Sequence, residues 1–167
     1  MDNDDDSTRI LVGVDGSDPS IDALRRAATI AGALNAPITA ITTWEYPPID
    51  GMYPVVDWSP ETDARLTLSG AIEKAFDGTP PAGLVSKTIQ GSPAPVLIEE
   101  SKHAFMLVLG SRGHGGLVGI LLGSVSIACA ERAHCPVLIM HRQEEAATGS
   151  AASQKATPET ASGSDSR

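Results

Sequence analysis

The chain has 167 residues, which is enough for one domain with length to spare, and it carries a formal net charge of −9. This acidic balance argues against a nucleic-acid or anionic membrane partner, and no apolar run is long enough to cross a bilayer. With 41% hydrophobic but only 4% aromatic residues, the core must consist of Val, Ile, Leu and Ala, as in a buried parallel sheet. The acidic residues 2–6 do not resemble a secretory leader, and Cys129 and Cys135 lack metal or redox spacing, so we expect a cytoplasmic protein.

Segments with strand and helix patterns alternate along the chain. Asp18 is expected to cap a helix that begins at Pro19, and apolar residues then recur at helical spacing as far as Leu34. Clusters of Gly, Pro and Asn separate the other segments. The predicted strands are 9–14, 38–44, 84–90, 105–109 and 135–140, and the predicted helices are 19–34, 61–76, 93–101 and a segment after Gly123.

This alternation predicts an α/β, Rossmann-like fold of three layers, with a five-stranded parallel sheet and helices on both faces. We expect the strand order 3-2-1-4-5, in which a ligand binds beyond the strand ends where the order reverses. The domain should cover residues 9–142. An acidic mobile N-terminus at 1–8 precedes it, and a disordered tail at 143–167, rich in Ala, Ser, Thr and Gly, follows it.

The stretch Gly110-Ser111-Arg112-Gly113, followed after nine residues by Gly123-Ser124, connects the fourth strand to the last helix. Glycines let the backbone approach a ligand, and a helix start offers unpaired N–H groups and a partial positive charge to a phosphate. The stretch is neither a Walker A motif nor Gly-x-Gly-x-x-Gly. We therefore expect a cradle of backbone and hydroxyl groups, with a ribose across Gly110 and phosphates near Gly113, Gly123, Ser124 and Ser126. The alternative is that these glycines only form turns and caps.

Charged residues around this stretch also favour an anion site. No Asp or Glu lies between Glu100 and Glu131. The same window contains Lys102, His103, Arg112 and His114. The alternative explanation is that a buried strand and a glycine loop leave little room for carboxylates. Asp15, at the end of the first strand, should lie across the same crevice. It suits a sugar hydroxyl, a base N–H or a divalent cation, or it caps the approach to the next helix.

The glycine pattern resembles the ATP-binding motif of the universal stress protein family, and residues 12–17, 121–126 and 133–138 are similar to other segments of that family. The resemblance covers 9–141. It implies a usually dimeric Rossmann-like protein that binds ATP, often with a divalent ion, which we expect to be Mg or Mn. The loop at 45–60 departs from the family and leaves base selectivity open. The candidate nucleotide-binding residues are Val14, Asp15, Thr42, Thr43, Leu109, Gly110, Arg112, Gly113, His114, Gly123, Ser124, Val125 and Ser126.

Three classes of function follow from this reading. The first is an ATP-binding regulatory module of the stress response. The second is a slow ATP hydrolase or phosphotransferase, or a protein for another adenine nucleotide such as AMP or cyclic AMP. The third is an interaction protein with a vestigial loop. His114 is the best-placed candidate base, but a solvated or phosphate-contacting imidazole is the commoner reading, so hydrolysis should be slow at most.

The fifth strand is an apolar edge of the predicted sheet. Val137, Leu138, Ile139 and Met140 would leave an aggregation hazard if this edge stayed uncovered. Antiparallel pairing with a two-fold mate would cover it, and the family resemblance implies the same arrangement. We therefore expect a homodimer through this strand.

Overall fold

Five strands and four α-helices alternate in the computed structural model, which describes residues 8–46, 58–113 and 122–141. The predicted N-terminus (apart from Thr8), the predicted tail and His114 lie outside these residues. The elements are β1 (Ile10–Gly13), α1 (Asp18–Leu34), β2 (Ile38–Trp44), α2 (Pro60–Phe76), β3 (Leu84–Gln90), α3 (Pro93–Glu100), a 3-10 turn (Ser101–His103), β4 (Met106–Gly110), α4 (Ser124–Arg132) and β5 (Val137–Met140).

All strand pairs are parallel, and the strand order is β3-β2-β1-β4-β5. Alternate residues of β1 point to opposite faces of the sheet. Ile10 and Val12 belong to a core cluster with residues of α1 and α2, whereas Leu11 belongs to a second cluster with Leu97 of α3 and Cys129 of α4. The sheet is therefore buried on both faces, and the predicted fold class and strand order are confirmed.

Several predicted boundaries needed correction, at the start of α1 and at the ends of β1, β4 and β5. Asp18 does not cap α1, because the helix begins at Asp18 and its N-cap residue is Ser17. The Asp15 carboxylate accepts hydrogen bonds from the backbone N–H and the hydroxyl of Ser17, at 3.0 and 2.6 Å, and so forms the turn itself. The fourth strand begins at Met106, one residue later than predicted, and the Phe105 side chain before it is 47% exposed.

Helix α2 is fastened to α1 by Arg25. Its guanidinium donates hydrogen bonds to the carbonyl oxygens of Lys74 at 2.8 Å and Ala75 at 3.2 Å, in the last turn of α2. A cation is favourable at this end of a helix, and the carbonyl groups there have no partner within the helix. Arg25 thus holds the end of α2 against α1.

The two cysteines are free thiols in the packed part of the fold. Cys129 is fully buried, and burial raises its pKa to about 11. Burial also raises the pKa of Cys135, which is half-buried. Thiolate formation is suppressed at neutral pH in both, which agrees with a packing role. Among the helices of the described ranges, none is both long enough and apolar enough to cross a membrane.

Gly110 lies in tight contact with the start of α1. A Cβ atom at this position would lie 2.8 Å from the carbonyl carbon of Pro19 and 2.9 Å from the backbone nitrogen of Ser20. The sequence suggested that a ribose required this glycine, but the structure gives it a different reason. The direction that its side chain would take is filled by helix backbone, so only glycine lets α1 begin this close to β4.

We expect Gly110→Ala to lower the free energy of unfolding by about 1–3 kcal/mol, because neither backbone can yield without a shift of α1 or β4. Gly32→Ala is the matched control. Gly32 lies in α1, the helix that Gly110 contacts, and a Cβ there meets nothing within 4 Å, so this change should raise stability by about 0.5–1 kcal/mol. Urea unfolding of the two variants measures both effects, and equal stability of Gly110→Ala and the unchanged chain would contradict the packing role.

Candidate functional site

A cleft of about 940 Å³ lies beyond the carboxyl ends of β1, β2 and β4. The strand order reverses at this point. From β1 the chain passes to β2 on one side of the sheet, whereas the later strand β4 pairs with β1 on the other side. The described residues that were predicted as site residues all line this cleft. They are Val14, Asp15, Thr42, Thr43, Leu109, Gly110, Arg112, Gly113, Gly123, Ser124, Val125 and Ser126.

Backbone hydrogen bonds fix both ends of the glycine-rich connection. The N–H of Ser111 donates to the carbonyl of Met140 at the end of β5, at 2.7 Å. The carbonyl of Ser111 in turn accepts the N–H of Gly123, also at 2.7 Å. Ser111 is 2% exposed. The connection therefore leaves the sheet and returns to the start of α4 at the same buried residue, which places Gly113 and Gly123 on one wall of the cleft.

Asp15 faces this wall from the end of β1. A Cβ at Gly113 would collide with the Asp15 carboxylate, so the glycine lets the acidic side chain lie directly against the loop. The Ser17 hydroxyl links the two further, since it lies 2.6 Å from Asp15 Oδ1 and 3.4 Å from the carbonyl oxygen of Arg112. The predicted juxtaposition of Asp15 and the glycine loop is thus present.

Gly123 is the N-cap residue of α4 and differs from Gly110 and Gly113. Its φ of −75° and ψ of 160° are accessible to any residue, so its backbone conformation does not require glycine. A Cβ there would meet no described atom closer than 3.6 Å, which is ordinary contact. The described residues therefore leave empty space beside Gly123, at the edge of the cleft.

The start of α4 presents backbone N–H groups to this space. The first N–H groups of a helix have no carbonyl partner within it, and the helix dipole adds a partial positive charge at the same end. In α4 these groups belong to Ser124, Val125 and Ser126, all of which line the cleft. This wall can therefore hold an anion with backbone alone.

Two of the hydroxyls at the site serve the fold. The Ser126 hydroxyl is buried and donates a 2.8 Å hydrogen bond to the carbonyl of Gly110, while the buried Thr42 hydroxyl donates one of the same length to Val14. Each hydroxyl has a single proton, which these bonds use. Both side chains thus position strand ends and the start of α4, whereas Ser124 is exposed and Thr43 half-buried at the cleft.

The charge pattern of the sequence was only partly a guide to the site. Lys102 and His103 lie in the 3-10 turn before β4 begins, at the edge of the sheet opposite the cleft, so they do not contribute to it. Arg112 is the cationic side chain of the described lining, and Asp15, Glu45 and Asp63 are its acidic ones. Attraction for an anion must therefore come mainly from the backbone of α4.

Apart from Thr42 and Thr43, sequence reasoning missed the side of the cleft that the end of β2 and the start of α2 form. Trp58 precedes α2, and its only sequence signal was its rarity, since the chain has two tryptophans. Spacing within the proline-rich loop did not indicate where it would lie. The further lining residues are Gly13, Ser20, Ile41, Trp44, Glu45, Trp58, Pro60, Asp63, Ala64, Thr67, Pro93, Leu97, Leu122 and Ile127.

A parallel α/β sheet with a glycine-rich strand-to-helix connection at its switch point defines a Rossmann-like class that suits anionic ligands. The model of the universal stress protein family matches residues 7–141, and the chain belongs to this family. The family resemblance of the sequence is thereby confirmed.

Two relatives illustrate the range of the family. The chain is 34% identical to universal stress protein Rv2005c of Mycobacterium tuberculosis over 145 residues, which cover 81% of this chain and 48% of that protein. It is 32% identical to universal stress protein MJ0531 of Methanocaldococcus jannaschii over 143 residues, 82% of this chain and 84% of that protein. The chain thus spans about half the length of the mycobacterial relative but most of the archaeal one.

Solved structures agree with the fold. A universal stress protein in complex with cAMP has 29% sequence identity and a TM-score of 0.61, and the match covers 80% of this chain and 97% of that one. A universal stress protein from Archaeoglobus fulgidus, with 22% identity and a TM-score of 0.59, matches 80% of this chain and 93% of its own. The second likeness concerns the fold alone.

We expect Ser126→Ala to lower the free energy of unfolding by about 1–2 kcal/mol, because the part-buried Gly110 carbonyl loses the hydrogen bond from the Ser126 hydroxyl. Ser124→Ala is the matched control. Ser124 is exposed two residues earlier in the same helix, and its loss should change stability by less than about 0.5 kcal/mol. Urea denaturation of both variants tests this assignment, which fails if the two serines contribute equally.

Proposed function

We propose that this chain is an ATP-binding universal stress protein, a cytoplasmic regulatory module of the stress response that holds ATP at its Gly-x2-Gly-x9-Gly-Ser loop. The observation that carries the proposal is the space beside Gly123 at the start of α4. Neither backbone conformation nor contact with the described residues requires glycine there, and a phosphate that approaches the N–H groups of α4 would require it. ATP occupancy would then alter the surfaces offered to a partner.

The cleft suggests how the nucleotide lies. Gly113, Gly123, Ser124 and Val125 would hold the phosphates, with Arg112 beside them. The ribose would lie near Leu109 and Gly110, with Val14 and the Asp15 carboxylate close to its hydroxyls. The base would reach the end of β2 at Thr42 and Thr43. In this arrangement Ser126 acts by positioning Gly110, since its proton is already donated.

A divalent ion, Mg or Mn, would be held chiefly by the nucleotide. Among the described residues, no group of three or more His, Cys, Asp or Glu side chains could form a metal site by itself. Mg²⁺ usually keeps several waters and binds substrate phosphates with one or two carboxylates. Asp15, which lies against Gly113, is the carboxylate that fits this role.

Another adenine nucleotide is the second candidate ligand, and the solved relative in complex with cAMP supports it. The glycine loop and the start of α4 suggest where one phosphate binds, but they do not select the number of phosphates in the ligand. Hydrolysis needs an oriented nucleophile and in-line geometry. His114, the best-placed candidate base in the sequence, lies outside the described residues, so slow hydrolysis rests on the sequence alone.

We expect mass spectrometry of the supernatant of denatured, purified protein to detect ATP. Recovery of AMP or cyclic AMP would favour the second ligand, and recovery of ADP alone would favour a hydrolase. If no adenine nucleotide co-purifies and none binds in calorimetric titration, the proposal fails.

Two substitutions at Gly123 locate the site. Gly123→Val should weaken ATP binding at least tenfold, because the branched side chain occupies the approach to the α4 N–H groups, whereas Gly123→Ala should weaken it less. Calorimetric titration measures both affinities, and thermal melting verifies that the variants fold. Wild-type affinity in folded Gly123→Val would contradict the assignment.

A homodimer through β5 is also proposed. This strand is at one end of the sheet, and its four apolar residues are only half-buried. The carbonyls of Pro136 and Met140 accept hydrogen bonds from Leu107 and Ser111, on the β4 side. Because backbone groups alternate along a strand, the N–H of Ile139 points to the outer edge, where a second copy can pair.

We expect light scattering to give the mass of a dimer at micromolar concentration. Ile139→Pro removes one outward N–H group and leaves the inward ladder to β4 intact, so this variant should be a folded monomer. A monomeric unchanged chain would contradict the proposed dimer, and a dimeric Ile139→Pro variant would contradict its location.

A further inference from the structure

Trp58 is a large aromatic side chain at the cleft and outside the core. It lines the cleft and is 47% exposed. The next residue, Ser59, caps α2 by accepting a hydrogen bond from the N–H of Thr62 at 3.3 Å, and Pro60, the first residue of the helix, is buried. Trp58 is therefore attached directly to a fixed helix start.

A hydrogen bond sets the direction of the indole ring. The Trp58 Nε1–H donates to Asp63 Oδ2 at 2.8 Å, one turn into α2. Tryptophan combines an apolar ring with one polar group, the indole N–H. In Trp58 this N–H is already hydrogen-bonded to Asp63. The faces of the ring remain as the surface that Trp58 offers to a ligand.

The two ends of the cleft differ in charge. The glycine loop, the start of α4 and Arg112 lie on the β4 side of β1, and the Asp15 carboxylate lies against the glycine loop at the end of β1. Trp58, Glu45 and Asp63 lie on the other side, where β2 ends and α2 begins. The two carboxylates would repel phosphates, whereas the helix start attracts them, so a nucleotide enters with its phosphates towards α4 and its uncharged base towards Trp58.

We infer that Trp58 is the stacking surface for the nucleotide base, and that Asp63 is a positioning residue that holds the indole ring in place. The inference deepens the proposed function and rests on it. Stacking of a base on an aromatic ring strengthens binding roughly 5- to 150-fold per base, and it tolerates any base because each has a flat face. Trp58 thus supplies affinity for the base, and selection among bases belongs to the polar groups at the end of β2.

The experiment compares ATP with inorganic tripolyphosphate, which has the phosphates but no base, in calorimetric titrations of the full chain. Trp58→Ala should weaken ATP binding about tenfold and leave tripolyphosphate binding unchanged. Trp58→Phe, which keeps an aromatic face, should recover most of the loss. Phe105→Ala is the control, because Phe105 is equally exposed at 47% but lies before β4, away from the cleft lining.

Asp63 is tested by rescue. Asp63→Ala should weaken ATP binding by several-fold, whereas Asp63→Asn keeps an oxygen that can accept the indole N–H and should bind ATP as the unchanged chain does. In a Trp44→Phe background, fluorescence reports Trp58 alone. ATP should quench it, and Asp63→Ala should reduce the quenching.

Each contrary outcome has a distinct meaning. ATP affinity of Trp58→Ala within twofold of the unchanged chain overturns the stacking role and leaves the proposed function standing. An equal loss of tripolyphosphate binding also overturns it, since Trp58 would then act on the phosphate end or on the fold. If the unchanged chain binds no adenine nucleotide, the proposed function and this inference both fail.

Discussion

The contact between Gly110 and the start of α1 is the constraint on which the site depends. The backbone of Pro19 and Ser20 occupies the space that a side chain at Gly110 would fill. This close approach brings the turn at Asp15 and Ser17 beside the end of β4, where the glycine loop begins. The Ser126 hydroxyl then ties α4 to the carbonyl of the same glycine. One residue without a side chain thus brings three elements together at the switch point.

The cleft offers an anion backbone N–H groups in place of a cluster of cationic side chains. Its described lining has one arginine against three carboxylates, in a chain whose net charge is −9. The N–H groups of α4 are localised and directional, so they favour a phosphate at one end of the cleft, whereas Glu45 and Asp63 disfavour it at the other end. Under the proposed function, this polarity would give a nucleotide a single orientation in the cleft.

Much of the fold could be predicted from local patterns. β2 and β3 have the predicted limits, and the alternation of Ile10, Leu11 and Val12 between two cores follows from apolar residues in a strand that is buried on both faces. The described candidate residues all reach one cleft because a parallel sheet brings its carboxyl ends to one edge. Asp18 was misassigned as a cap because Ser17, with Asp15 before it, is an equally good residue for a helix start.

The sequence by itself indicated the alternation of strands and helices and the position of the glycine loop between β4 and α4, since these follow from periodicity and spacing along the chain, and the spaced glycines carried the resemblance to the family. Only the tertiary structure decided what each residue does. The structure shows that Gly110 packs against α1, that Lys102 and His103 lie at the edge of the sheet opposite the cleft, and that Trp58 lines the cleft. The physical reason is that these roles depend on distances between residues far apart in the chain, which are set when α1, α2 and α4 pack on the sheet.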